Sequence, residues 1–207
     1  MRRLTVCRIL HAMCCLTIVA MVLGCSSTPK VERKDVDTTI DISGQWNDTD
    51  SRMVSEEMMR DCLERPWVRM FMDEHGGKVP TVIVGQVKNR SHEHINVQTF
   101  VKDLERHLIN SGRVRFVASR EERTGIREER LDMAKHASDK TMKSPGEESG
   151  ADFMLIGTIN TIKDEFGNKA VMFYQTNLEL INMADNIKVW VGEKKIKKLI
   201  TKRRITW

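Results

Sequence analysis

From residue 151 onward the hydrophobic period of the chain is two. The stretches "ADFMLIGTINTIKD" (151–164), "KAVMFYQTNLELIN" (169–182) and "KVWVGEKKIKKL" (188–199) read as three strands. Phe166-Gly167-Asn168-Lys169 and Met183-Ala184-Asp185-Asn186 separate them as turns, so an antiparallel meander is expected. In the middle stretch Val171, Phe173, Gln175, Asn177 and Glu179 share one face, and Met172, Tyr174, Leu178 and Leu180 the other. One face of such a meander is apolar and needs cover, which directs attention to helices earlier in the chain.

Those helices are legible. In "SGQWNDTDSR" (43–52) Asn47 is placed to cap a helix, with Asp48 and Asp50 in its first turn, where the helix dipole favours negative charge. Val54, Met58 and Cys62 then recur every fourth residue, a buried stripe reaching Leu63. Pro66 starts a second short helix, "PWVRMFMDEH", which Gly76-Gly77 closes. Val97, Phe100, Val101, Leu104 and Leu108 define the clearest helix of all, ending before Gly112. Ser119 with Glu122 forms a capping box for a charged helix from 120 to about 137. Between them "VPTVIVGQV" (79–87) reads as a buried strand, and "RVRFVA" (113–118) and "TTIDIS" (38–43) as further strands, the last a short edge. The expected class is α/β in the α+β sense, a mixed sheet of about four to five strands flanked by helices, with the meander at the C-terminal end.

The N-terminus addresses the chain. Arg2, Arg3 and Arg8 precede an apolar run, Ile9 to Leu23, that ends in Val22-Leu23-Gly24-Cys25. A basic start, a short apolar core and a small residue before the cut make a secretory signal peptide, and a run of about 15 residues falls short of the roughly 20 a membrane span needs. "VLGC" resembles the bacterial lipobox, which implies cleavage between Gly24 and Cys25 and lipid on the Cys25 thiol. Ser26 and Ser27, rather than an aspartate, follow the cysteine, which resembles the outer-membrane-directed pattern. The expected division is a leader over 1–24, a lipidated N-terminus and polar tether over 25–37, and one globular domain over 38–207.

With Cys7, Cys14 and Cys15 gone with the leader and Cys25 lipidated, Cys62 is the one free thiol. No disulfide can form within the mature chain, and a site built from several cysteines is excluded. Losing the leader's three arginines and no acid also lowers the formal charge of +5 by three, so the pI near 9.0 overstates the basicity of the mature protein.

Catalytic patterns are missing from the sequence. An EF-hand starting at Asp48 would need a ligand at Arg52 and a glycine at Met53, and fails. His92-Glu93-His94 lacks the spacing that sets two ligands one helical turn apart and reads as a solvated loop. Cys62 sits on an apolar stripe as a small core residue. There is no nucleophile elbow, P-loop or dinucleotide-binding glycine pattern. The basic run Lys194 to Arg204 fits either a charge-protected edge strand or a face for an acidic partner or lipid surface. Neither an enzyme, a metal, a cofactor, a small-molecule substrate nor nucleic acid is expected. What remains is a binding protein.

The lipobox, the polar tether, "SGQWNDTDSR", "VGQVKNRS" (84–91), "LERHLINSGRVRFVAS" (104–119) and "GADFMLIGTI" (150–159) together resemble the LpoB-type penicillin-binding protein activators, over about residues 40–192. The resemblance implies a domain similar to the N-terminal domain of TolB. It implies an outer-membrane lipoprotein facing the periplasm that stimulates a bifunctional peptidoglycan synthase, a class A penicillin-binding protein, by direct contact. The alternative is a periplasmic scaffold, or an assembly or secretion-associated lipoprotein, on the same fold. Exposed polar side chains such as Arg52, Asn89 and Arg90 are the expected contact positions. The tether departs from the family, having about a dozen residues with Pro29 as its one proline.

Overall fold

The computed structural model describes residues 31–136 and 148–202. The chain divides into two units, Met1–Thr38 and Thr39–Trp207. In the first, residues 31–38 are exposed, and Asp35 closes a turn by accepting from the backbone N–H of Asp37 at 2.8 Å and of Thr38 at 3.0 Å. Gly24 and Cys25, the cleavage and lipidation positions, lie outside the described residues, as do most of the 138–150 loop and Arg203 and Arg204.

The second unit runs α1 (Asp48–Glu64), α2 (Trp67–Glu74), β1 (Thr81–Arg90), α3 (Val97–Asn110), β2 (Arg115–Phe116), α4 (Arg120–His136), β3 (Phe153–Phe166), β4 (Lys169–Asn182) and β5 (Lys188–Thr201). The strands form one mixed sheet in the order β2-β1-β3-β4-β5, with β1 parallel to β2 and β3, and β3, β4 and β5 antiparallel in sequence. This is the expected class, and β4 spans the same residues as the alternating stretch that predicted it.

The helix ends follow local chemistry. Asn47 Oδ1 accepts from Asp50 N, and Asp50 Oδ2 accepts in return from Asn47 N, both at 3.0 Å, a full capping box. Ser119 and Glu122 form the reciprocal pair that caps α4. Gly77 at φ +84° and Gly112 at φ +64° take the left-handed conformations that turn the chain beyond α2 and α3.

The core lies on one face of the sheet. Val82, Val84, Phe153, Leu155, Ile159, Leu178, Leu180 and Trp190 meet Val54, Met58, Cys62, Trp67, Phe71, Phe100, Leu104 and Leu108 from α1, α2 and α3. Leu178 sits between Gly157 and Gly192 in the cross-strand register. A Cβ on Gly157 would lie 2.7 Å from the Asn177 carbonyl oxygen, and one on Gly192 would run into the Trp190 ring and lie 3.1 Å from Met58 Cε. The two glycines are what let α1 and the Trp190 ring close over the sheet.

Two strand assignments need correction. Residues 38–43 form no strand: Ile42 is exposed, and the segment is held by side chains instead, Asp41 among them. In 113–118 only Arg115–Phe116 pairs, because the chain must leave β1 within three residues to reach the Ser119 cap. Strand β1 starts at Thr81 rather than 79 and runs on to Arg90.

Candidate functional site

Two assemblies of polar side chains stand out, one on each side of the sheet. The first is a clasp built around the opening of α1. Lys198, from β5, donates to Asp50 Oδ2 and Asp41 Oδ1, both at 2.6 Å, and to the Gln45 carbonyl at 3.1 Å. Burial would depress its ammonium, but the bonds to Asp41 and Asp50 outweigh that and hold it above its ordinary value. The Lys198 bond in turn holds the Asp41 carboxyl below the usual range. Beside them Glu93 accepts from the Tyr174 hydroxyl at 2.8 Å through Oε1 and from Trp46 N at 3.0 Å through Oε2. Burial and then Glu93 push the Tyr174 phenol well above its ordinary value, so it stays a donor. The Trp46 ring packs edge-on against Phe100 and Tyr174 at 6.1 and 5.6 Å. The clasp is a fastening, with its donors and acceptors spent on one another.

"SGQWNDTDSR" is therefore a helix start and the anchor of a loop. Asp50 does double duty, capping α1 and pairing with Lys198, and only its cap was legible. His92 and His94 are exposed, but the Glu93 between them is half-buried, which corrects the reading of the triplet as a solvated loop. No sequence signal pointed to Glu93, because its partners lie 47 and 81 residues away. Lys198 did leave a signal, since it shares strand parity with Ile196 and Ile200 and so points inward. The Cys62 thiol is buried, which pushes it up to about 12. Among the described residues no three His, Cys, Asp or Glu side chains are grouped to hold a metal, and no helix is long and apolar enough to cross a membrane.

The second assembly is the sheet face opposite α1, α2 and α3. Cross-strand rows there read Lys88–Thr158–Asn177–Glu193, Arg90–Asn160–Gln175–Lys195 and Ile162–Phe173–Lys197. Gln86, Lys88, Arg90, Ile156, Thr158 and Glu179 line a recess of about 310 Å³ on it. A β-bulge produces this surface. Between Val84 and Val87 the register advances three residues on β1 against two on β3. Val82 and Val84 face the core before it; after it Val87 does, and Lys88 and Arg90 turn outward.

Of the three expected contact residues, the pleat parts two. Arg90 lies on this outward face. Asn89 alternates to the helix side, where its amide donates to the Glu93 carbonyl at 2.8 Å and accepts from Ser91 N at 2.9 Å. Arg52 lies on α1, half-buried.

The domain is thus a mixed sheet with helices packed on one face and a polar surface exposed on the other. A family model described as the peptidoglycan-synthase activator LpoB matches residues 50–196, and the chain belongs to that family. Among solved structures, the LpoB C-terminal domain from Salmonella enterica is 15% identical, with 70% of this chain and 98% of that one covered and a TM-score of 0.38. The corresponding Escherichia coli domain is 14% identical at the same coverage, with a TM-score of 0.37. A lipoprotein from Neisseria meningitidis is 12% identical over 57% of this chain and 83% of that one, with a TM-score of 0.37. No curated protein matches the chain.

Proposed function

We propose that this chain is a non-enzymatic, outer-membrane lipoprotein, anchored through Cys25, whose domain faces the periplasm and activates a class A penicillin-binding protein by direct contact. The family match over residues 50–196 carries the reading, and the "VLGC" end of the leader supports the anchor. Activation by contact requires the domain to bind the active conformation of the synthase more tightly than the inactive one. Arg90, Asn89 and Arg52 are the first contact positions to replace, Arg90 foremost because it is exposed on the outward face.

The test is glycan polymerisation and cross-linking by a purified bifunctional synthase, with and without the full-length chain. A rise in both activities is expected, and unchanged rates end the reading. Intact mass of the membrane-extracted protein checks the anchor: a diacylglyceryl cysteine at Cys25 is expected, and Cys25→Ala should abolish it.

A second reading is favoured by the tether. Residues 26–37 span at most about 45 Å when fully extended and usually less than half of that. If deleting most of them leaves function in cells intact, the domain has no need to reach away from its membrane, and a periplasmic scaffold or secretion-associated role takes precedence.

A further inference from the structure

On the helix side several charges are spent internally: Lys102 pairs with Glu105 and Glu122, Arg106 with Asp103, and Lys194 with Glu57. In the larger groove beside α2, about 580 Å³, Arg65 is paired with Asp61 and Arg113 donates to the Leu63 carbonyl at 2.6 Å, while Arg69 lines the groove with Glu64 and Asp73. On the outward sheet face the balance is different. Lys195 pairs with Glu193 and Lys188 with Glu179, which uses the acids that β4 and β5 place there. Lys88, Arg90 and Lys197 make no ion pair among the described residues and are exposed. Asn160, Gln175 and Asn177 lie between them, uncharged and able both to donate and to accept.

This cationic band adjoins an apolar one. Ile162 and Leu199 are 65% and 69% exposed, and Phe173 and Val171 sit between them in the same rows. Scattered exposed apolar residues need no explanation, but a contiguous patch with Lys197 in one of its rows and the Asp164 carboxylate at the far end of the other has the polar border of a contact surface. Its size fits as well. Strands of 14 residues run on the order of 45 Å and three inter-strand gaps roughly 15 Å. The plan area is thus on the order of 650 Å², near the roughly 800 Å² that one side of a standard protein interface buries. A small anion would use the recess and leave the apolar band idle. The bulge at Gly85-Gln86 is the third observation, because it is what aims Lys88 and Arg90 outward at all.

We propose that this outward face receives the protein partner, and that the segment received presents carboxylates to Lys88, Arg90 and Lys197 and an apolar side chain to Ile162, Phe173 and Leu199. The inference rests on the activator reading for the partner being a protein, and assigns the face and the chemistry of what docks there. Charge complementarity sets orientation and encounter rate; the apolar band supplies the buried centre.

The experiment places a photoreactive phenylalanine analogue in the full-length chain in cells, at Val191 or Leu199 on the outward face and at Met70 or Ile109, each more than half exposed, as helix-side controls. Adducts are identified with their cross-linked peptides by mass spectrometry. Outward-face adducts to the synthase, through a peptide rich in Asp and Glu, are expected. Lys88→Glu with Arg90→Glu should lower them by roughly tenfold or more, with Lys197→Glu as the second variant should the double change disturb folding. The same acidic, charge-sensitive adducts to a different envelope protein keep the face and end the activator reading. Adducts only from the helix side, only to a second copy of the chain, to lipid or to glycan, adducts indifferent to both charge reversals, or none at all, overturn the proposal.

Discussion

The two faces of the sheet solve different problems with the same strands. On the helix-packed face of β4, Met172, Tyr174, Leu178 and Leu180 are each at most 5% exposed. On the opposite face Val171, Phe173, Gln175, Asn177 and Glu179 stay half-exposed, alternating with them residue by residue. The first face is specified by volume: Gly157 and Gly192 leave space for Leu178 and for the Trp190 ring, and no larger side chain fits. The second is specified by charge and by the parity change at the β1 bulge, and its side chains touch little. Burial is concentrated on one side of the sheet, while the side chains of the other stay in solvent.

Replacing residues on each face tests that division. The largest effect is expected from Phe100→Ala. Its ring is fully buried against Trp46, and the cavity left should cost about 3–5 kcal/mol, read as a lower urea midpoint. An unchanged midpoint would mean the packed face is not where stability lies.

Lys198→Met should come next. It strands Asp50, whose side chain is 4% exposed, without its cation, at a cost on the order of 3 kcal/mol. The pH dependence carries the sign. Asp41 has a folded value below its unfolded one, so its stabilisation is fully present above about pH 4 and is lost as the pH falls through the folded value. Wild type should therefore lose stability below pH 4 more steeply than Lys198→Met does. Parallel acid limbs would show the clasp to be inert.

Asn47→Ala removes one half of the α1 capping box and should cost about 1 kcal/mol in thermal or urea unfolding while leaving partner binding unaltered. A variant of full stability that no longer bound would turn this stretch into a recognition surface. At the small end, Lys195→Gln on the outward face should change stability by less than about 0.5 kcal/mol, since its pairing with Glu193 is exposed. A larger loss would blur the contrast between the faces.

Most of the fold was legible because it is written locally. Asn47 and Asp50 are three residues apart, Ser119 and Glu122 likewise, and β4 alternates buried and half-buried residues along nearly its whole length. What depends on distant partners was not. Glu93 reads as part of a polar loop until Tyr174 and Trp46 are brought to it. The stretch 38–43 alternates like a strand yet finds no strand to pair with. Lys197 was legible only as part of the basic run Lys194 to Arg204, and Lys88 not at all, because the outward face exists only once four strands are side by side and one inserted residue in "VGQVKNR" decides which way Lys88 and Arg90 point.

The clasp also has a mechanical side. A pull on the second unit at Thr39 is felt first at Asp41, Gly44 and Gln45, whose grip on β5 is one ammonium and the Ile200 side chain beneath Gly44. Among the described residues no backbone ladder shares that load. Were the domain pulled from that corner, the fastening around Lys198 should yield before the sheet behind it and let out a few residues of slack.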